Sequence, residues 1–284
     1  MELWAVRVLS GISFGALLFI LSSGFTLALG IMKTVNIAHG ALYLLAAYIA
    51  WSMWEFTGSF ILAIVAGPLL TAIVGLITQR WLLRKLHLQP LSQMLLTMGI
   101  CLIIAEMGVV LWGGYPRVME TPPLLSGATL LGSVSFPTYR LFIIAVATGV
   151  AIFLWGFLEK TRVGALVRAS VDDEEMARGM GVNVARLFVF MFGFTCLLAG
   201  LGGAIGAPFL GAYQGAEFEV LLLALVVVIL GGLGSLRGAL IASLFIGIVD
   251  SVGKGMFPEL AHFTLFAPMI IVLAVRPTGL MGKA

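Results

Sequence analysis

Charged side chains are scarce in this chain of 284 residues. Asp, Glu, Lys and Arg together make up 10% of it, against about 25% in a typical soluble domain, whereas hydrophobic residues make up 61%. Charge-free runs such as 8–32 and 58–79 exceed the roughly 20 residues that a helix needs to cross a bilayer. The short alternating strands of a membrane β-barrel are missing as well. The sequence therefore predicts an all-α membrane protein and excludes a soluble globular protein.

Cysteine and histidine are also rare. The two cysteines, Cys101 and Cys196, lie inside apolar runs, and the three histidines are scattered at His39, His87 and His262. This spacing fits neither a disulfide framework nor a metal site, and it pairs no nucleophile with a base. The phosphate-binding pattern G-x-x-x-x-G-K-[ST] is missing too. The sequence thus predicts no catalytic residue, no metal and no cofactor in this chain.

Nine apolar segments, separated by charges or by Pro/Gly clusters, organise the chain. They predict a single transmembrane domain over 1–284 with nine membrane spans, or eight if 217–253 contains a re-entrant pair. The first segment is too long for the apolar core of a signal peptide and is predicted to be a permanent span. The nine segments are 5–32, 36–54, 58–79, 91–112, 139–158, 187–210, 217–236, 238–253 and 262–276.

Basic residues indicate the orientation of these spans. With nine spans, all but four of the 16 Lys and Arg residues fall on one side of the membrane, and the positive-inside rule assigns that side to the cytoplasm. The N-terminus is therefore predicted to lie outside and the C-terminus inside. The longest cytoplasmic loop is 159–186, and the longest outside loop is 113–138. The four basic residues on the outside are Arg7, Arg117, Arg140 and Lys254.

Two apolar stretches are interrupted by polar residues and glycine, at 29–42 and at 230–240. Each begins with Leu-Gly, ends with Gly-Ala-Leu and leads into a further apolar helix. Paired glycine-interrupted helices point to substrate sites in transporters, although Gly-Ala-Leu is common in membrane helices and the match also fits chance. The candidate residues for a translocation path are Asn36, His39, Gly40, Tyr43, Gly231, Gly232, Gly234 and Ser235.

A further candidate for the path is a polar helix face in the fourth segment. Ser92, Gly99 and Glu106 recur every seven residues and therefore share one face of a helix. We expect this face to point into the bundle, because a carboxylate in lipid is costly. Glu106 is then either part of a translocation path or a hydrogen-bonded structural carboxylate.

The densest cluster of charge is the stretch 169–180, ASVDDEEMARGM. Ser170, with Asp173 three residues later, suits a helix N-terminus, and Gly179 or Gly181 can end the helix in a left-handed conformation. A helix this short is not stable alone in water, so its Met/Ala face needs the membrane surface, the protein's own loops or another protein. The predicted docking residues are Asp172, Asp173, Glu174, Glu175, Met176, Ala177, Gly179, Met180 and Gly181.

Four stretches together resemble one transporter family. DDEEMARGMGVNVAR resembles the cytoplasmic coupling segment of ABC-importer permeases. GFTLALGIMKTVNIAHGALYLLAAY is similar to the N-terminal signature of branched-chain amino acid permeases. LLALVVVILGGLGSLRGALIASLFIGIVDS is similar to their glycine-rich C-terminal signature, and VRPTGLMG to their ending. The chain thus resembles the permease subunit of the branched-chain (hydrophobic) amino acid ABC uptake transporters.

This resemblance implies a multi-pass protein of a bacterial inner membrane that is not itself an enzyme. Two permease chains, usually unlike paralogues, would form the pore, two ATPase subunits would bind ATP and Mg, and a periplasmic binding protein would deliver the substrate. Relatives carry branched-chain amino acids, urea, short amides or aromatic acids, and no nucleic acid is implied. The main alternative is a self-contained proton-coupled secondary transporter that uses Glu106 and Asp250.

Overall fold

Helices account for almost all of the regular structure. The computed structural model describes residues 2–30, 32–86, 89–131, 134–256, 258–276 and 278–281. An antiparallel hairpin joins β1 (Ala128–Leu131) to β2 (Val134–Pro137). The helices are α1 (Glu2–Gly30), α2 (His39–Thr57), α3 (Phe60–Trp81), α4 (Pro90–Trp112), α5 (Thr138–Lys160), α6 (Arg162–Asp172), α7 (Glu174–Gly179), α8 (Val184–Leu210), α9 (Ala216–Gly231), α10 (Leu236–Met256) and α11 (Ala261–Val275), with 3-10 turns at Leu83–Leu86 and Pro258–Leu260.

Nine of these helices coincide with the nine apolar segments, which confirms the predicted all-α membrane fold. Within the residues that the structure describes, α1, α3, α4, α5, α8 and α10 are long and apolar enough to cross a membrane. The three remaining apolar segments form α2, α9 and α11. The two short helices α6 and α7 lie within the predicted cytoplasmic loop 159–186. The chain is therefore a multi-pass membrane protein.

Helix α1 lies at the centre of the bundle. In its most apolar window 83% of the residues are buried, and the helix packs against α5, α8, α9 and α10. It packs most extensively against α10, and a Cβ atom at Gly11 or at Gly15 would lie 2.6 Å from the α10 backbone. Small residues let helix backbones approach closely in lipid, where van der Waals contact drives association. The glycines of α1 therefore hold α10 against the centre.

Helices α3, α4 and α5 lie at the periphery. Only 28%, 22% and 22% of their apolar windows are buried, although α3 packs tightly against α8 along one face. Their outer faces are rich in exposed leucine, isoleucine and valine. An apolar surface of this size suits contact with lipid or with another membrane protein.

The two ends of the bundle carry different structures. At one end, the backbones of Arg117 and Ala212 exchange hydrogen bonds of 2.8 and 2.7 Å, which tie the loop after α4 to the connection between α8 and α9. The β1–β2 hairpin lies in the same loop, so we call this the hairpin end. At the opposite end, α7 and the start of α8 line a pocket with Gln79 and Arg84. We call this the α7 end.

Candidate translocation path and coupling site

The segment between α1 and α2 turns back into the bundle. Helix α1 ends at Gly30, and residues 32–38 are not helical. His39, the first residue of α2, places its Nε2 atom 2.8 Å from the carbonyl oxygen of Leu21. Leu21 precedes the end of α1 by about two and a half turns. Helix α2 therefore begins inside the bundle, as expected for an interrupted helix.

The connection between α8 and α9 also leads into the bundle. Ala212 is held at the hairpin end by Arg117, and Gly215, with φ of 99°, turns the chain into α9. A Cβ atom at Gly40 would collide with the carbonyl oxygen of Glu217, so the first turns of α2 and α9 touch. We call this place the α2–α9 junction. Two helix N-termini meet there, and each contributes a partial positive charge.

Three polar side chains of the predicted path are buried on the α2 side of this junction. Asn36, His39 and Tyr43 are 1%, 0% and 0% exposed. Among the described residues, no group bonds to either amide atom of Asn36, to Nδ1 of His39 or to the Tyr43 hydroxyl. An unpartnered buried polar group lowers the stability of the fold by about 1–3 kcal/mol. Side chains with a purely structural role are not expected to carry this cost.

Thr97 of α4 holds the non-helical segment in place. Its Oγ1 atom accepts a hydrogen bond of 3.1 Å from the Ile37 N–H and lies 3.3 Å from the carbonyl oxygen of Val35, to which it can donate. Asn36 lies between these two residues. The backbone around Asn36 is therefore fixed while its amide group stays unpartnered.

Glu217 is a buried carboxylate at the junction that the sequence did not single out. It is 3% exposed, and its Oε2 atom accepts a hydrogen bond of 2.9 Å from the Gly215 N–H. The nearby Glu219 is exposed and accepts a hydrogen bond of 2.6 Å from the Tyr213 hydroxyl, which raises the pKa of Tyr213 to about 12. The sequence feature that could have identified Glu217 is the pair of acidic residues in the first turn of an otherwise charge-free helix.

The second interruption, at 230–240, is a tight turn between two helices. Helix α9 ends at Gly231, and Gly232 and Gly234 adopt φ of 96° and 80°. The Ser235 hydroxyl then accepts a hydrogen bond of 3.0 Å from the Gly238 N–H, in the first turn of α10. Glycine is needed here because positive φ strains any residue that has a Cβ atom.

Close backbone contacts fill the space around this turn. A Cβ atom at Gly30 would collide with Gly234, and one at Gly238 would collide with the carbonyl oxygen of Gly231. The turn thus joins the ends of α1, α9 and α10. Both predicted interruptions exist, but only the first one enters the bundle.

The face of α4 that carries Ser92, Gly99 and Glu106 does not point into the bundle. Glu106 and Gly99 are exposed, and a Cβ atom at Gly99 would meet nothing within 4 Å. Helix α4 instead turns Gln93, Thr97 and Cys101 inward. The prediction for this face is therefore wrong, because α4 packs through a different stripe of small and polar residues.

The second carboxylate of the proton-coupled alternative has a different environment. Asp250 is 4% exposed, its Oδ2 atom lies 2.8 Å from Lys254 Nζ, and its Oδ1 atom accepts a hydrogen bond of 3.0 Å from the Thr264 hydroxyl. Asp250 is thus neutralised inside the bundle, whereas Glu106 is exposed on α4. The structure does not join them in one buried site.

The acidic cluster forms the junction between α6 and α7. Asp173 is the N-cap of α7, and its Oδ1 atom accepts a hydrogen bond of 2.9 Å from the Met176 N–H. Ser170 lies within α6 and is buried, so the prediction that Ser170 begins the helix is wrong. The reason is that α6 continues through Ser170 and ends only at Asp172. Gly181, with φ of 85°, follows the end of α7 in the left-handed conformation.

Helix α7 buries its alanine, whereas Met176 in the helix and Met180 at its C-cap are exposed. Ala177 is 5% exposed, whereas Met176 and Met180 are 66% and 79% exposed. The predicted Met/Ala face is therefore divided between two surroundings. Ala177 is buried where α7 packs against α6 and α8, and the two methionines stay available to a partner.

Comparison with known proteins gives the family. The family model "Branched-chain amino acid transport system / permease component" matches residues 7–273. The high-affinity branched-chain amino acid transport system permease protein LivH of Salmonella typhimurium is 26% identical over 98% of this chain and 95% of its own length. The probable branched-chain amino acid transport permease protein LivH of Methanocaldococcus jannaschii is 28% identical over 99% and 94%.

A solved structure shares the fold. PsaBC from Streptococcus pneumoniae in complex with Fab matches with a TM-score of 0.55 and 14% identity, over 96% of this chain and 92% of that one. At this identity the match shows the fold alone. The family model, in contrast, covers nearly the whole chain. The chain belongs to the permease component family of branched-chain amino acid transport systems.

Proposed function

We propose that this chain is one of two permease subunits of an ATP-driven importer of branched-chain amino acids in a bacterial inner membrane. Its family membership supports this role, and the LivH relatives are named as permeases for that substrate class. A second permease chain, a paralogue, completes the pore. Two ATPase subunits bind ATP and Mg, and a periplasmic binding protein delivers the amino acid.

The exposed methionines of α7 are the observation that carries the proposal. The helix is held by the Asp173 cap and by buried Ala177, yet Met176 and Met180 face solvent beside exposed acidic residues. Flexible methionines on a helix suit insertion into an apolar groove. We assign the groove to an ATPase subunit, and we assign the flanking charges the role of keeping α7 out of the bilayer.

The distribution of charge supports the orientation of the importer. The α7 end carries most of the basic residues, which favours the cytoplasm. The hairpin end then faces the periplasm, where a binding protein delivers substrate. In this orientation α7 is on the side where ATP is available.

The outer face of α4 supports the presence of a second permease chain. Glu106 is exposed there among large apolar residues such as Ile103 and Val110. A carboxylate that faces lipid is costly, and contact with a polar group of another chain removes that cost. Glu106 then lines the interface between the two permeases, where it contributes to the pore.

The experiment tests docking at α7 with charge substitutions. Met176→Glu and Met180→Glu are introduced into the chain, which is co-expressed with its ATPase, permease and binding-protein partners. We expect the double variant to retain at most about a tenth of the co-purified ATPase, because a carboxylate buried in an apolar groove is strongly disfavoured. ATP-driven uptake of leucine into proteoliposomes falls in parallel.

The control is Met256→Glu, which places the same charge on a half-exposed methionine at the hairpin end. We expect this variant to co-purify normal amounts of ATPase. Full ATPase recovery in the α7 double variant would contradict the docking assignment. Leucine uptake by the chain with a proton gradient and no ATPase would contradict the importer itself.

A further inference from the structure

We propose that the α2–α9 junction binds a zwitterionic amino acid with an apolar side chain. In this site Glu217 binds the ammonium group, and Asn36 together with the N-terminus of α2 binds the carboxylate. The inference rests on the proposed import function and adds a substrate site inside the permease chain itself.

Glu217 has the properties of an ammonium ligand. It is buried, and among the described residues it forms no ion pair and accepts only the hydrogen bond from the Gly215 N–H. A buried carboxylate without a cationic partner is costly. An amino acid supplies the missing cation through its ammonium group. The backbone bond from Gly215 fixes one carboxylate oxygen, so that the other remains available to this cation.

The opposite side of the junction suits a carboxylate. Helix α2 begins after Ala38, which has no polar side chain to cap it. The His39 N–H is bonded to the Asn36 carbonyl oxygen, and the dipole at this helix end attracts an anion. The amide of Asn36, three residues before the helix, is buried and unpartnered. Its NH₂ group can donate to the same carboxylate. The N-terminus of α2 and the buried Asn36 amide thus lie on the same side of the junction and both suit a negative charge.

An apolar cluster adjoins these polar groups. Phe25 packs with its ring centroid 5.1 Å from that of His39, and the Cβ atom of Leu221 lies 3.1 Å from where a Cβ of Gly40 would be. The cluster contains Phe25, Leu221, Ala224 and Val228, with Ile37 and Leu225 packed against it. Urea and short amides carry neither charge nor a branched side chain. The combination of a carboxylate, a helix N-terminus and an apolar cluster therefore fits a branched-chain amino acid better.

The test measures binding of labelled L-leucine to the permease–ATPase assembly in nanodiscs without the binding protein. Two competitors each lack one charged group of leucine. 4-Methylpentanoate lacks the ammonium group, and L-leucinamide lacks the carboxylate. We expect each to bind at least about ten-fold more weakly than leucine, because a hydrogen bond to a charged group contributes that much or more. Equal competition by all three compounds would overturn the proposal, as would the absence of leucine binding.

Two substitutions then assign the ligand groups. Glu217→Gln keeps the shape of the side chain and is expected to weaken leucine binding at least about ten-fold while hardly changing that of 4-methylpentanoate. Asn36→Leu is expected to weaken leucine and 4-methylpentanoate together, with little change for leucinamide. The matched control is Glu219→Gln, two residues from Glu217 but exposed, which should bind all three compounds like the wild type.

Separate readouts distinguish this inference from the proposed function. Co-purification of the ATPase and ATP-driven uptake by the wild-type assembly test the importer, and they stand even if the junction binds nothing. A Glu217→Gln variant that assembles and binds leucine normally would overturn the site. If Glu217→Gln does not assemble, Asn36→Leu decides, and normal leucine binding by that variant contradicts the proposal.

Discussion

Two connections in this chain run from Leu-Gly to Gly-Ala-Leu, yet one buries unpartnered polar groups and the other packs glycine against glycine. Between α1 and α2, the segment 32–38 passes back into the bundle and brings Asn36 and His39 to the α2–α9 junction. Between α9 and α10, the short turn at 232–235 stays at the α7 end. The difference teaches that glycine permits close contact between helix backbones. The longer polar segment, in contrast, brings unpartnered polar side chains into the bundle.

The largest expected effect concerns stability at the turn. Gly238→Ala places a Cβ atom against the carbonyl oxygen of Gly231, and we expect a loss of about 1–3 kcal/mol, as for other overpacked sites. The control is Gly149→Ala on the exposed side of α5, where a Cβ atom meets nothing within 4 Å. Thermal unfolding in detergent is the measurement. Equal melting temperatures for the two variants would contradict the packing role assigned to the turn.

The next expected effect separates function from stability at the first connection. Asn36→Leu removes two unpartnered buried polar atoms, which each cost about 1–3 kcal/mol, so we expect an unchanged or higher melting temperature. Leucine uptake should nevertheless fall at least about ten-fold, through the lost interaction with the substrate carboxylate.

The comparison variant is Asn183→Leu. Asn183 is exposed, and its Oδ1 atom accepts a hydrogen bond of 3.1 Å from the Arg186 N–H at the start of α8. Loss of this cap should lower stability by about 1 kcal/mol, the opposite sign to Asn36→Leu. A lower melting temperature for Asn36→Leu would show that Asn36 has a structural partner, and the contrast between the two connections would then disappear.

The smallest expected effect concerns the cap of α10. Ser235→Ala removes the hydroxyl that accepts the Gly238 N–H, and we expect a loss of about 1 kcal/mol with leucine uptake retained. Ser126→Ala in the exposed loop, where the hydroxyl donates to the Pro123 carbonyl oxygen, is the control and should unfold like the wild type. Loss of uptake by Ser235→Ala without loss of stability would place the turn on the translocation path as well.

The sequence predicted the positions of the helices well, but it predicted poorly which side of a helix points into the bundle. The seven-residue spacing of Ser92, Gly99 and Glu106 correctly places them on one side of α4, but that side faces outward. In a soluble protein, polarity would indicate which face is inside. In a membrane protein both the core and the lipid-facing surface are apolar, so periodicity finds a face without giving its direction.

The same limit applies to the candidate sites. The sequence singled out Asn36, His39 and Tyr43, because polar residues inside an apolar run are conspicuous. It did not single out Glu217, since an acidic residue at the start of a helix is ordinary until the helix is known to begin inside the bundle. It also placed the start of the coupling helix at Ser170, where local capping preferences fit but α6 continues.

The sequence by itself determined which segments become apolar helices and where the charge is concentrated. Lipid offers no hydrogen bonds to the backbone, so long apolar runs must become helices, and the charged stretch 169–180 cannot enter. Only the tertiary structure decided that α2 and α9 begin inside the bundle and touch at Gly40 and Glu217. That arrangement depends on close backbone packing between helices that are distant in sequence, and no local pattern of hydropathy records it.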